Sequence, residues 1–189
     1  HSASYAVESY QSLYLKCYFP LEFMVAVLNN GGGFYRPEFY VHEARMLGAA
    51  IHPSCINQSQ IANVIYGKQI YLGFMYLREL EQRVMQRIVA ERGTNGVFGS
   101  LEEFVDRVPI SIEQLSVLIR IDAFRFTGIN KHELLWKAHL ILSKGKRSGH
   151  PKLFPPKRQK FQIPELHTTD LETAFEQWEL LGFPLCSPF

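Results

Sequence analysis

Apolar residues recur at helical spacing along most of the chain, with one short stretch of alternation. The pattern therefore predicts a mainly α protein with a small β hairpin. The sharpest signal is residues 72–93, LGFMYLRELEQRVMQRIVAERG, read as a turn followed by an amphipathic helix that begins near Glu79. Leu80, Val84, Ile88 and Val89 fall on one stripe, and Glu81, Gln82, Arg83, Gln86, Arg87 and Glu91 take the other face. Gly93, with Asn95 and Gly96 just beyond, is where this helix is expected to stop, because these residues tolerate positive φ.

The flanking segments follow the same logic. Val7, Tyr10, Leu13, Tyr14, Cys17 and Tyr18 predict a first helix, and Pro20 opens a second, over residues 21–28, which is apolar nearly all round and expected to be buried. Gly31-Gly32-Gly33 ends it; the triplet lacks both GK[ST] and GxGxxG spacing, so it is not a phosphate loop. Pro37 starts a third helix to about residue 47, closed by Gly48, and residues 49–53 read as a short extended piece. Val64 and Tyr66, then Ile70 and Leu72, alternate about Gly67-Lys68 and predict the hairpin. Ser100 with Glu103 and then Ser111 mark the starts of two short helices, 100–108 and 112–121; a longer one is expected over 130–142. The glycine- and proline-rich stretch 144–164 reads as a tether. Thr169 and Glu172 form a capping box for a last helix, 169–181, whose Leu171, Phe175, Trp178 and Leu180 or Leu181 are expected on the docking side.

Composition narrows the class without choosing a function. The chain has 189 residues, 47% apolar and 20% charged, as in ordinary soluble domains. It contains no 18-residue apolar run and no secretory signal, and three widely spaced cysteines without a CxxC suit a reducing compartment. A cytoplasmic location is expected. Charge is uneven: residues 131–160 carry nine Lys or Arg and one acid, whereas residues 161–189 carry five acids and no Lys or Arg. A basic block of that kind can track phosphates, or can simply be a solvated linker.

Catalytic chemistry is hard to assemble from these residues. Only three aspartates occur, at 106, 122 and 170, without a DxD pair, and Glu79/Glu81 and Glu102/Glu103 diverge on helices. His52 and Cys55 lack a second metal-ligand pair, His42 being a poor completion, and there is no GxSxG elbow. No metal site is expected. The two helix-turn units, around residues 72–93 and 112–131, suggest a different function. A helix-hairpin-helix module binds DNA backbone by presenting turn N–H groups to a phosphate, with glycines giving the turn its shape.

Taken together, the motifs resemble the bacterial DNA polymerase III alpha subunit of the C family. HSASYAVESYQSLYLKCYFPLEFMVAVLNN is similar to the block that ends that family's fingers, and YVHEARMLGAAIHPSCINQS to the segment after it. LGFMYLRELEQRVMQRIVAERG, FGSLEEFVDRV, LIRIDAF and ELLGFPLCSP are similar to its tandem helix-hairpin-helix region and the exit from it, and NNGGGFYRPEF looks more like the error-prone paralogues. The resemblance implies a polymerase fragment with four parts: fingers (1–56), tandem helix-hairpin-helix domain (57–143), basic linker (144–164) and C-terminal docking helix (165–189). It implies polymerase activity with Mg²⁺ in the parent but no cofactor and no catalysis in this segment, which lacks the palm carboxylates. The implied partners are primer-template DNA, other polymerase domains, and a sliding clamp or accessory factors; no membrane is involved. His1, Ser2 and Tyr5 would lie near the incoming nucleotide. Candidate DNA contacts are Arg78, Glu79, Leu80 and Glu81 in the first hairpin, Arg120, Gly128, Asn130 and Lys131 in the second, and Lys152, Lys157, Arg158 and Lys160 in the linker. Glu79 and Glu81 stand where the first hairpin's glycines belong and Asp122 where the second has glycine. The first hairpin is therefore expected to survive as scaffold, with Arg120, Lys131 and the linker as the better phosphate contacts.

Overall fold

The computed structural model describes residues 2–145 and 168–186. Helices α1 (Ser2–Tyr18), α2 (Pro20–Asn29) and α3 (Pro37–Met46) come first, followed by strands β1 (Ala50–His52), β2 (Val64–Tyr66) and β3 (Gln69–Tyr71). Then come α4 (Gln82–Asn95), α5 (Leu101–Arg107), α6 (Ile112–Arg120), α7 (Lys131–Gly145) and α8 (Asp170–Leu181). The expected fold class holds: mainly helical, with a small sheet. Pro20 and Pro37 stand at the first turns of α2 and α3, where a missing N–H costs nothing. The capping residues behave as their spacing predicts, with Ser100, Ser111 and Thr169 accepting from the N–H groups of Glu103, Gln114 and Glu172.

The hairpin is larger than alternation alone predicted. β2 and β3 pair antiparallel, and the extended piece β1 adds to β3 in parallel, giving the order β1-β3-β2. The sheet therefore joins residues on both sides of position 56. Asn63 ties it to the helices: its N–H donates to Asn29 Oδ1 at 2.8 Å and its own Oδ1 accepts from Gly73 N–H at 2.8 Å. One apolar cluster (Leu21, Met24, Val25, Ala44, Ala49 and Ile70) lies under α2, α3 and the sheet. A larger one, with Phe74, Phe98, Phe104 and Phe124 at its centre, holds α4 to α8.

Three expectations need correction. Helix α4 begins at Gln82 rather than near Glu79, because Leu77 to Glu81 are used in a turn in which Leu80 N–H donates to the Leu77 carbonyl at 3.2 Å. It also runs through Gly93 and ends at Gly96, whose φ of 81° and ψ of −178° only glycine adopts readily. The third correction concerns α8, which docks through Gln177, Leu180 and Leu181 and leaves Leu171, Phe175 and Trp178 exposed. The residues after the helix explain its rotation: Phe183 and Leu185 are also buried, so the chain's apolar anchor is the ELLGFPL end and not the aromatic stripe. Burying these four apolar side chains contributes about 1.5–3 kcal/mol each before the entropy of ordering them is subtracted.

Candidate nucleic-acid interface

Both hairpins form, but their turns differ in conformation. In the first, Glu81 has φ −68° and ψ 138°, and no residue from Leu77 to Glu81 takes positive φ. Three of its backbone donors are already used: Arg78 N–H donates to the Leu180 carbonyl at 3.0 Å, Leu80 to Leu77, and Glu81 to Gln114 Oε1 at 2.7 Å. Gln114 Nε2 returns a bond to the Glu79 carbonyl at 2.8 Å, so one amide on α6 spans the whole turn. Leu80 is buried in the main core, whereas Glu79 and Glu81 are exposed, the latter paired with Arg83. A turn without glycine has therefore closed at negative φ, with the N–H groups of Arg78, Leu80 and Glu81 bonded within the protein.

The second turn keeps the glycine-like geometry without the glycine. Asp122 has φ 63°, the one positive-φ non-glycine among the described residues. Ala123 N–H donates to the Leu118 carbonyl and Asp122 N–H to that of Ile119, both at 2.9 Å, which is a Schellman end for α6. Burial pushes the Asp122 carboxyl above the ordinary aspartate range, against the pull of the Arg125 and Lys131 charges and with Glu176 adding to the rise. Arg125 holds the turn to the β1 end, donating to the carbonyls of Pro53, Ser54 and Asp122 at 3.0–3.1 Å. Gly128, at φ 66°, then leads into α7, where the Asn130 side chain caps the helix by accepting from His132 N–H at 2.9 Å.

Helix α8 lies across both hairpins. Its C-terminal end meets the first: a Cβ on Gly182, which has φ 92°, would sit 2.1 Å from the Arg78 guanidinium. Its acidic side covers the second. Lys131, only 6% exposed, pairs with Glu176 and, at 3.9 Å, with Glu172; His132 lies 3.2 Å from Glu172. Arg120 pairs with Glu176 at 3.3 Å and with Glu179. Burial opposes the Arg120 charge, but the carboxylates of Glu179 and Glu176 outweigh it and raise its pKa. The two cations singled out as phosphate contacts thus already hold three carboxylates.

The remaining site expectations divide by position. Tyr5 is 67% exposed on α1, and Ser2 opens that helix. His1, Lys152, Lys157, Arg158 and Lys160 lie outside the described residues, as does most of the predicted tether. Sequence reasoning missed Gln114 and the acids of α8. Nothing in the spacing marks Gln114, while the separation of a basic block from an acidic C-terminus was a signal that the two ends could meet.

Comparison with known proteins gives this geometry its context. A helix-hairpin-helix motif family matches residues 48–134, which include both turns and α4 to α6. The error-prone DNA polymerase of Mycobacterium bovis is 32% identical over 179 residues, 92% of this chain. Over most of its length the chain is homologous to error-prone DNA polymerases. The error-prone DNA polymerase of Vibrio campbellii is 32% identical over 76% of the chain, and error-prone DNA polymerase 2 of Rhizobium meliloti 34% over 72%. The chain spans only 16%, 14% and 13% of these three polymerases. Among the described residues no three of His, Cys, Asp or Glu come together as metal ligands. Nor, among the described residues, is any helix long and apolar enough to cross a membrane.

Proposed function

We propose that this segment contacts the backbone of primer-template DNA without reading sequence, as a non-catalytic part of an error-prone DNA polymerase acting in replication or lesion bypass. The observation that carries the proposal is the pair of helix-hairpin-helix turns inside a chain similar to such polymerases over 72–92% of its length. In this proposal residues 1–56 close the fingers, 57–143 form the hairpin domain, 144–164 are a basic linker and 165–189 supply the docking helix. The linker lysines and arginine, with Arg120 and Lys131, supply the positive charge, and the first hairpin is scaffold. Fluorescence anisotropy of labelled primer-template at 50 and 200 mM salt tests it. Tight binding with a steep salt slope is expected, because each neutralised phosphate contributes about −0.9 to the slope. Absence of binding at low salt would refute the proposal.

A second reading, a scaffold that docks other polymerase domains, a clamp or an accessory factor, is favoured by the exposed apolar surface. Residues 3–18 of α1 are all exposed, including Tyr10, Leu13 and Tyr14, and Phe175 and Trp178 point outward from α8. Binding to such a domain but not to DNA in the same titration would favour it.

A further inference from the structure

The two halves of α8 are held by different forces. From residue 177 onward the helix and its exit are anchored by burial: Leu180, Leu181, Phe183 and Leu185 are in the core, and Gln177 Oε1 accepts from Leu185 N–H at 2.6 Å. Before residue 177, Leu171 and Phe175 are each 67% exposed. This half is seated instead by charge, through Glu172 and Glu176 on Lys131, His132 and Arg120, with one further bond at 3.4 Å between Asn130 Nδ2 and Thr168 Oγ1. A pocket of about 180 Å³ lies beneath it, bounded by Arg120, Asp122, Lys131, Thr168 and Gln177.

Charge pairs and buried leucines respond differently to an incoming polyanion. A phosphodiester can replace a carboxylate on the same cation at little net cost, since one charge-assisted contact is exchanged for another. It offers nothing in return for an exposed leucine. With α8 seated, the second turn presents Glu172, Glu176, Glu179 and Asp122 beside Arg120, Arg125 and Lys131, so its acids outnumber its bases. With the first half of α8 lifted, two of those acids leave and a buried lysine gains access to solvent.

We propose that the N-terminal half of α8 is a charge-held gate over the second hairpin: Glu172 and Glu176 are internal anions that a nucleic-acid phosphodiester displaces from Lys131 and Arg120, while the C-terminal half stays anchored. The gate rests on the assignment of this segment to DNA-backbone contact. The hinge is at Gln177, whose side chain belongs to the anchored half. Opening unwinds about two turns that bury no apolar side chain, so the core of the protein is untouched.

Hydrogen exchange of the full chain, with and without saturating primer-template duplex, tests the gate directly. Amides 174–177 should lose protection when DNA binds, while the Gly182 N–H, which donates to the Trp178 carbonyl at 2.9 Å, keeps its own. In parallel, E172Q/E176Q opens the gate without DNA. Because the wild type must give up the Glu172 and Glu176 contacts to Lys131 before it binds and the variant need not, the variant should bind duplex about tenfold more tightly at 50 mM salt. Adding K131Q should abolish part of that gain. If DNA binds while amides 174–177 keep their protection and the double variant binds no tighter, the gate is wrong and the DNA assignment stands. If neither protein binds DNA at low salt, both fail together. Binding by the double variant alone supports the gate in its strongest form.

Discussion

Asp122 is the residue where backbone geometry and side-chain chemistry disagree most, and replacing it separates the two. Its φ of 63° is a conformation that costs a residue with a Cβ on the order of 1–2 kcal/mol and glycine very little. The Schellman bonds of Ala123 and Asp122 fix that conformation, so the strain cannot relax without losing the end of α6. Glycine would in turn cost about 0.5–1 kcal/mol of unfolded-chain entropy, and removing the carboxylate relieves a partly buried charge. Asp122→Gly should therefore stabilise the chain by about 1 kcal/mol at pH 7, or about 2–4 °C in Tm for a protein of this size. The carboxylate part of that gain depends on pH with a definite sign. Because the folded pKa is raised above the unfolded one, ionised Asp122 costs stability as pH rises through the window between the ordinary aspartate range and the raised folded value. Urea unfolding at pH 7 and pH 4 should show the advantage of glycine shrinking at the lower pH but not vanishing, since the strain remains. Asp122→Ala keeps the Cβ and should fall about 1 kcal/mol below Asp122→Gly. If alanine matches glycine, φ strain is not the cause and the argument fails; if both fall below the wild type, the carboxylate is making a stabilising contact.

Other expectations follow from single contacts. Gln114→Ala removes both bonds to the first turn and should cost about 1–2 kcal/mol in chemical denaturation while freeing the Glu81 N–H to exchange. Glu79→Gly with Glu81→Gly should raise duplex affinity only through lost repulsion, without a new phosphate contact, because the Arg78, Leu80 and Glu81 N–H groups stay bonded inside; a steeper salt slope by about 0.9 would count against this. Gly73→Ala places a Cβ 2.4 Å from the Ile61 carbonyl oxygen and from backbone of Ala62, and should destabilise by about 3 kcal/mol, seen as a lowered urea midpoint. At the far end of α4, Glu103 is held below the ordinary glutamate range by the Gly99 N–H and Arg107, and Glu91 by Asn95 and Arg107. Their contribution to stability is therefore present above that range and lost as pH falls through the depressed values, and Arg107→Ala should weaken this acid dependence in a pH series of melts.

What sequence alone determined was local. Proline at helix starts, Ser-x-x-Glu spacing before α5, and alternation about Gly67 each act within a few residues, so α2, α3, α5, α8 and the β2–β3 hairpin were legible from side-chain type and spacing. The family was legible too, because its motifs are contiguous. The long-range relations were not: that β1 would pair with β3, that Gln114 would bridge the first turn from 33 residues away, or that Glu176 would cross 45 residues to Lys131. Helix α8 shows why. Its periodicity put Leu171, Phe175 and Trp178 on one stripe, and only the core decided otherwise, by seating Leu180, Leu181, Phe183 and Leu185 and turning Phe175 and Trp178 outward. That rotation is what carried Glu172 and Glu176 onto Lys131 of the second hairpin. A basic block and an acidic end can be read from the chain, but which cation meets which carboxylate is settled by burial, since the apolar anchor sets the geometry and the charges follow it.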